Sequence, residues 1–197
     1  MAEPHLERKK TSNVFKEAQR TWGSFDDFPI GQLGLDPMPH LSRSRTAQPF
    51  YLVTELDEVL VQMAGTAEIQ FREMENGPAS MCLTPGDTVY LPAGIPSRIV
   101  PQGEVIQVRL KGQPPLREAV AWYCQTCGDL VHAHEFTDPI PQRQYWEAVR
   151  AFNASPNLRT CGACGAIHPT VSLGDIAWPA VVQAMEAEAV ELASRGV

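Results

Sequence analysis

Between residues 46 and 118 apolar and polar residues alternate in short runs, the period-2 pattern of strands with one buried face. The clearest runs are 50–54, 58–63, 67–73, 88–91, 98–100 and 105–110, all rich in Val, Ile, Tyr and Phe. Gly65, Gly77-Pro78, Pro85-Gly86 and Gly94 punctuate them as turns. Many short strands at even spacing predict a sandwich or barrel. Two more strand patterns follow, at 119–124 and 130–136. Tyr145, Trp146, Val149 and Phe152 then recur at helical spacing within 142–152. A closing helix is predicted over 177–194, with Pro179 in its first turn where proline is tolerated. Residues 1–45 are polar, with one short amphipathic stretch at 14–21 and a loop rich in Gly, Pro and Asp. The pattern divides the chain into an N-terminal arm and loop (1–45), a barrel core (46–118) and a C-terminal segment with helices (119–197).

Composition narrows the partners. The 197 residues are 44% hydrophobic, enough for one domain with a sizeable core or a domain plus a small appendage. Sixteen basic against 23 acidic residues leave a net charge of −7. The lone basic run, Arg8-Lys9-Lys10, reads as a solvated tail. Nucleic acid and anionic membrane are therefore poor partners, since both are bound mainly through Lys and Arg. No apolar stretch reaches bilayer length, and the first residues lack the apolar centre of a signal peptide, so a cytoplasmic protein is expected.

In a reducing compartment five cysteines point to metal before disulfides. Cys124-Gln-Thr-Cys127 and Cys161-Gly-Ala-Cys164 each present two thiolates from a tight turn. Two such knuckles face to face make a tetrahedral four-sulfur site for one structural zinc or iron ion. Such a closed site has no open coordination position, so its expected work is stapling the segment that carries it. Cys82, in a strand pattern, reads as a small buried hydrophobe.

Glu58-Val-Leu-Val-Gln62-Met-Ala-Gly65 resembles the end of the first cupin motif. Gly86-Asp-Thr-Val-Tyr-Leu-Pro92-Ala-Gly94-Ile-Pro-Ser97 resembles the second. Residues 122–131 and 159–169, which hold the cysteines, are similar to the tail of bacterial 3-hydroxyanthranilate 3,4-dioxygenases. The resemblance implies a mainly β cupin barrel (a double-stranded β-helix or jelly roll) with a C-terminal rubredoxin-like four-cysteine knot and flanking helices. It also implies a homodimer built by pairing barrel edges. In that family a His-Glu-His set holds ferrous iron. Here Glu58 keeps the glutamate position, but Leu52 and Ser97 stand where the histidines should be. Gln48 replaces one substrate-gripping arginine, and Arg109 falls near the family's later acidic partner. His40, His132, His134 and His168 are weak substitutes by position, so catalytic iron is not expected.

The remaining pocket inventory is Glu58, Gln48, Gln62, Ser97, Arg98, Gln107, Arg109 and Leu52. Gln107 and Arg109 share strand parity and can face the interior together, which makes Arg109 and Glu58 natural partners. Desolvation would raise the Glu58 pKa and fit it for proton transfer. Arg98 or Arg109 could grip a carboxylate. The leading expectation is a metal-independent enzyme moving a proton on a small aromatic or dicarboxylic acid, by isomerisation, dehydration, decarboxylation or ring closure. The alternatives are a non-catalytic cupin that binds a small acid or a partner protein, and an active ferrous dioxygenase with unrecognised ligands.

Overall fold

The computed structural model describes residues 13–19, 23–30, 35–73, 77–112 and 117–194; His5 and the basic run at 8–10 lie outside them. Helix α1 (Val14–Gln19) precedes strands β1 (Phe25–Pro29) and β2 (Met38–Ser44). Then come β3 (Tyr51–Thr54), β4 (Glu58–Ala64), β5 (Ala67–Glu73), β6 (Gly77–Leu83), β7 (Thr88–Leu91), β8 (Ser97–Pro101) and β9 (Val105–Lys111). Strands β10 (Glu118–Tyr123) and β11 (Leu130–Phe136) lead into α2 (Pro141–Ala154), the single turn α3 (Pro156–Arg159) and α4 (Trp178–Ser194). Two antiparallel sheets result, one in the order β1-β2-β9-β4-β7 and the other in the order β11-β10-β3-β8-β5-β6.

The space between the sheets has two halves. In one, Leu60, Ile69, Phe71, Leu83, Val89, Leu91, Ile99 and Val105 form a wholly apolar core from the inward positions of alternating strands. In the other, Phe50, Leu52, Val120 and Trp122 meet Tyr145, Val149 and Phe152 of α2 and Trp178 of α4. Leu52 lies opposite both Val120 and Ser97 in register, so these inner-face positions come from three adjacent strands. The moment of α2 is thereby satisfied inside the barrel end, and Pro141 starts the helix where its missing N–H costs nothing. A third apolar layer, Phe25, Leu41 and Ile106 under Ala18 and Val181, attaches α1 and α4 to the outside of the five-stranded sheet.

Strands with clear alternation fall within about two residues of their predicted bounds. The segment read as an N-terminal loop instead contributes β1 and β2, and β2 pairs with β9 along its whole length. Its alternation is disguised because its inward positions are themselves polar: Asp27, His40 and Ser42. Strand β6 is not among the clear runs, although Cys82 within it lies in a strand pattern. It is an edge strand holding Gly77 and Pro78, residues that edges tolerate and central strands do not. On this edge Cys82 is exposed, correcting the expectation that it is buried.

Candidate functional sites: a buried charge cluster and a four-cysteine knot

Strand β9 turns Ile106 and Val108 to the outer apolar layer, and its other parity carries Gln107, Arg109 and Lys111, all buried. Strand β4 runs beside it with Gln62 opposite Gln107 and Leu60 opposite Arg109, so Glu58 approaches the end of β9. Arg109 Nη1 donates to Glu58 Oε2 at 3.1 Å, and Arg109 Nε lies 3.8 Å from Asp27 Oδ1. Lys111 Nζ sits among three carboxylates: Asp27 Oδ2 at 3.3 Å, Glu58 Oε1 at 3.8 Å and Glu118 Oε1 at 2.5 Å. The Tyr145 hydroxyl of α2 lies 2.8 Å from Glu118 Oε2 and 3.2 Å from Asp27 Oδ2. Having one proton, it donates to one of them and can accept from the other only if that carboxyl is protonated.

Asp27 reaches this position through a strained backbone. Its φ is +55°, at the irregularity where the β1–β2 register shifts between Phe25 and Phe28. Aspartate visits the left-handed region more readily than most residues. The Asp27 N–H donates to Ser42 Oγ at 3.0 Å. Gln142, fully buried on α2, donates to the carbonyls of Asp26 at 2.7 Å and Asp27 at 3.0 Å. The bulge is clamped from both sides, as such conformations require.

The electrostatics follow from burial and from the excess of acids over bases. Burial raises the Glu58 pKa, against the pull of Lys111 and Arg109. Burial would also raise Asp27, but Lys111 and Arg109 hold its carboxyl well below the usual range. Asp26, next along β1, is pushed up to about 7 by burial and by the Asp27 charge. His40, on β2 opposite Arg109, has its pKa lowered by burial. Its Nδ1 donates to the Met38 carbonyl at 3.0 Å.

Of the residues singled out in the sequence, Glu58, Arg109, Gln62 and Gln107 come together. Gln107 Nε2 donates to Gln62 Oε1 at 2.7 Å, and Gln62 Nε2 donates to the carbonyls of Ala64 and Gly65. Gly65 is required there: its φ is +71°, and a Cβ would lie 2.1 Å from the Glu104 carbonyl. Gln48 instead ties its turn to β8, its Oε1 accepting the Ile99 N–H at 3.2 Å. Leu52 is an apolar core residue and Ser97 is buried opposite it. Arg98 does not join the cluster. On the outward parity of β8, its Nε donates to the Gln48 carbonyl and its guanidinium lies 6.0 Å from the Tyr51 ring centre. Sequence reasoning missed Asp26, Asp27, Lys111, Glu118 and Tyr145. Lys111 alone had a signal, as the next inward position after Arg109.

Ferrous iron does not fit this donor set. Leu52 offers no lone pair, and Glu58 already faces Arg109 on one oxygen and Lys111 on the other, two cations that would repel a third. Among the described residues only Cys124, Cys127, Cys161 and Cys164 form a group of three or more ligands close enough to share an ion.

The cysteines do fit one. Their sulfurs all lie within 4.8 Å of one another, with Cys124 3.6 Å from Cys164 and Cys127 3.5 Å from Cys161. A tetrahedral site with metal–sulfur bonds of about 2.3 Å needs sulfurs about 3.8 Å apart. The two knuckles repeat one backbone pattern: the Gly128 N–H donates to the Cys124 carbonyl, and the Gly165 N–H to that of Cys161. Backbone N–H groups of Cys127 and Thr126 pull the Cys124 thiol below its usual range, toward the thiolate a metal needs. Among the described residues no histidine joins them. His132 stacks 5.9 Å from Trp122, His134 Nε2 bonds Gln144 at 3.1 Å, and His168 Nδ1 donates to the Pro169 carbonyl.

Two antiparallel sheets enclosing a core, with four cysteines gathered on the C-terminal segment, define a cupin barrel carrying a knot that could hold a metal ion. The chain is similar to curated proteins named 3-hydroxyanthranilate 3,4-dioxygenase. One from Jannaschia sp. is 42% identical over 57 residues, covering 26% of this chain and 29% of that protein. One from Candida albicans is 26% identical over 121 residues, covering 60% of this chain and 70% of that protein. The match thus spans under a third of the first relative. Among solved structures, a cupin-2 domain protein from Shewanella frigidimarina aligns with a TM-score of 0.46 at 18% identity, over 53% of this chain and 96% of that one. No protein-family model matches the chain. Among the described residues no helix is long and apolar enough to cross a membrane.

Proposed function

We propose that the barrel end is an acid–base centre working without a metal, and that the protein moves a proton on a small aromatic or dicarboxylic acid. One observation carries this reading: Asp27, Glu58 and Glu118 pair with Arg109 and Lys111, and Asp26 adds a fourth acid beside Asp27, so the cluster holds more acids than cations and keeps a proton near neutrality. The Asp26 pKa of about 7 and the raised Glu58 pKa express that surplus. A group titrating near the working pH is the most effective proton carrier. Glu58 is the base in this reading. It takes one proton from a substrate carbon and the cluster returns one to the product, so no electrons are exchanged and no O2 is needed. Arg109 positions Glu58, and Lys111 balances the neighbouring carboxylates. The knot holds one structural ion, zinc or iron. A homodimer through barrel edges belongs to the same proposal, supported by exposed Met81 on β6 and exposed Tyr90 on β7; sedimentation of the full chain tests it.

The test is deuterium uptake from D2O into carbon positions of a panel of small aromatic and dicarboxylic acids, 3-hydroxyanthranilate among them. Exchange into one acid, lost in Glu58→Gln and with an ionisation near pH 7 that disappears in Asp26→Asn, is the expected result. Oxygen uptake with 3-hydroxyanthranilate and added ferrous iron would overturn it. A second reading, a non-catalytic binder, is favoured by the way the cluster's cations and carboxylates pair with one another. It predicts binding of one acid without exchange into any.

A further inference from the structure

Among the described residues two arginines, Arg72 and Arg159, have a buried Nε without a hydrogen-bond partner. Both stand at the four-cysteine knot, one at each knuckle. Arg72 reaches the first from β5. Its guanidinium lies 5.0 Å from the ring centre of Tyr123, the residue before Cys124, and 5.4 Å from that of Tyr51. A Cβ at Gly128, the residue after Cys127, would lie 3.7 Å from Arg72 Nη1. Arg159 lies two residues before Cys161. Its carbonyl accepts the His168 N–H at 2.7 Å, and its Nη1 donates to the His168 carbonyl at 2.9 Å. The side chain therefore runs along the base of the second knuckle. Among the described residues no carboxylate forms an ion pair with either guanidinium.

A partly buried cation needs an anion to offset its lost hydration. Elsewhere a carboxylate supplies it, as Glu58 does for Arg109 and Glu104 for Arg43. At the knot the anion exists only when an ion is bound. Four thiolates around a divalent ion carry a net charge of −2, which two guanidiniums balance. The same thiolates around ferric iron carry −1 and leave one guanidinium in excess. Stacking on Tyr123 and Tyr51 fixes the first cation, and the His168 carbonyl fixes the second. Partial burial weakens the screening between them and the sulfurs.

We infer that Arg72 and Arg159 are the counter-cations of the loaded knot, one at each knuckle, and that they bias it towards a divalent ion, zinc or ferrous iron, over ferric iron. The inference rests on the proposal that the knot holds one ion and is independent of the acid–base reading.

The test compares the full native chain with Arg72→Gln, Arg72→Lys, Arg159→Gln and Arg159→Lys. Zinc affinity is read by competition with a chelator at low and high salt. Each Gln variant is expected to raise the zinc Kd about tenfold, the lower end for groups surrounding a metal's ligands. Each Lys variant, which keeps the charge, is expected to stay within about threefold of the native Kd, and the gaps narrow at high salt. In the iron-loaded chain at one fixed ambient potential, the ferrous-to-ferric ratio is expected to fall at least about threefold in each Gln variant. Should Arg159→Gln fail to fold without its His168 bond, the Arg72 variants carry the test. A native chain that takes up neither zinc nor iron would sink the ion proposal and this inference together. A loaded chain whose Gln variants leave affinity and iron ratio unchanged, or whose Lys variants fall as far as the Gln variants, would overturn this inference alone.

Discussion

The protein contains two polar clusters built in opposite ways. The four cysteines come as two pairs, each within four residues, and each knuckle closes on its own backbone. The barrel cluster draws one or two residues each from β1, β4, β9, β10 and α2, and most of its contacts join residues far apart in the chain. Locally built sites announce themselves by spacing. Sites assembled by topology show only as misplaced polarity in strands whose apolar pattern they interrupt. The two also differ energetically. The knot would gain its stability from an ion bound to its four sulfurs. The barrel cluster balances desolvation against mutual attraction, so removing one member costs more than the pair contributes.

The largest effect is expected from breaking the knot. Cys161→Ser should lose the bound ion by elemental mass spectrometry and lower the thermal midpoint more than any other single change proposed here. Next is Lys111→Met, which leaves Asp27, Glu58 and Glu118 without their shared cation. It should cost about 3–5 kcal/mol in urea unfolding at pH 7. Less cost at pH 4, where Glu58 with its raised pKa accepts a proton, would attribute the loss to charge and not to packing.

Tyr145→Phe removes one hydroxyl from between Glu118 and Asp27 and should cost about 1–3 kcal/mol. Asp26 gives a test with a defined sign. Its folded pKa is raised from 3.8 to about 7, so the folded state binds the proton more tightly than the unfolded chain. Its contribution is fully present below about pH 4 and is lost as pH rises toward 7. Asp26→Asn should therefore match the native protein at pH 4 and exceed its stability at pH 8 by roughly 1–2 kcal/mol, discounted for partial solvent access. Equal stability at both pH values would remove Asp26 from the proton-holding cluster. The smallest effect is expected at the surface, where Glu104 bridges Arg43 and Arg45. Glu104→Gln should cost less than about 1 kcal/mol and nothing measurable at high salt.

The sequence by itself determined the barrel strands with clean alternation, the helix of Tyr145, Val149 and Phe152, and the two cysteine pairs that meet. In each case the information is carried by neighbours along the chain: a period of two, a period of 3.6, or a pair spaced for one knuckle. The Glu58–Arg109 pair was also legible, because inward parity on two strands narrows the possible partners. Only the tertiary structure decided that β1 and β2 complete the sheet, that Asp27 turns inward through a left-handed bulge, and that Lys111 sits among three carboxylates. It also put Arg98 on the outer face beside Arg72 and Tyr51, away from the pocket in which the sequence reading had counted it. A buried charge survives only where partners from distant strands converge on it, and that convergence depends on sheet order and register, which no single stretch of chain encodes.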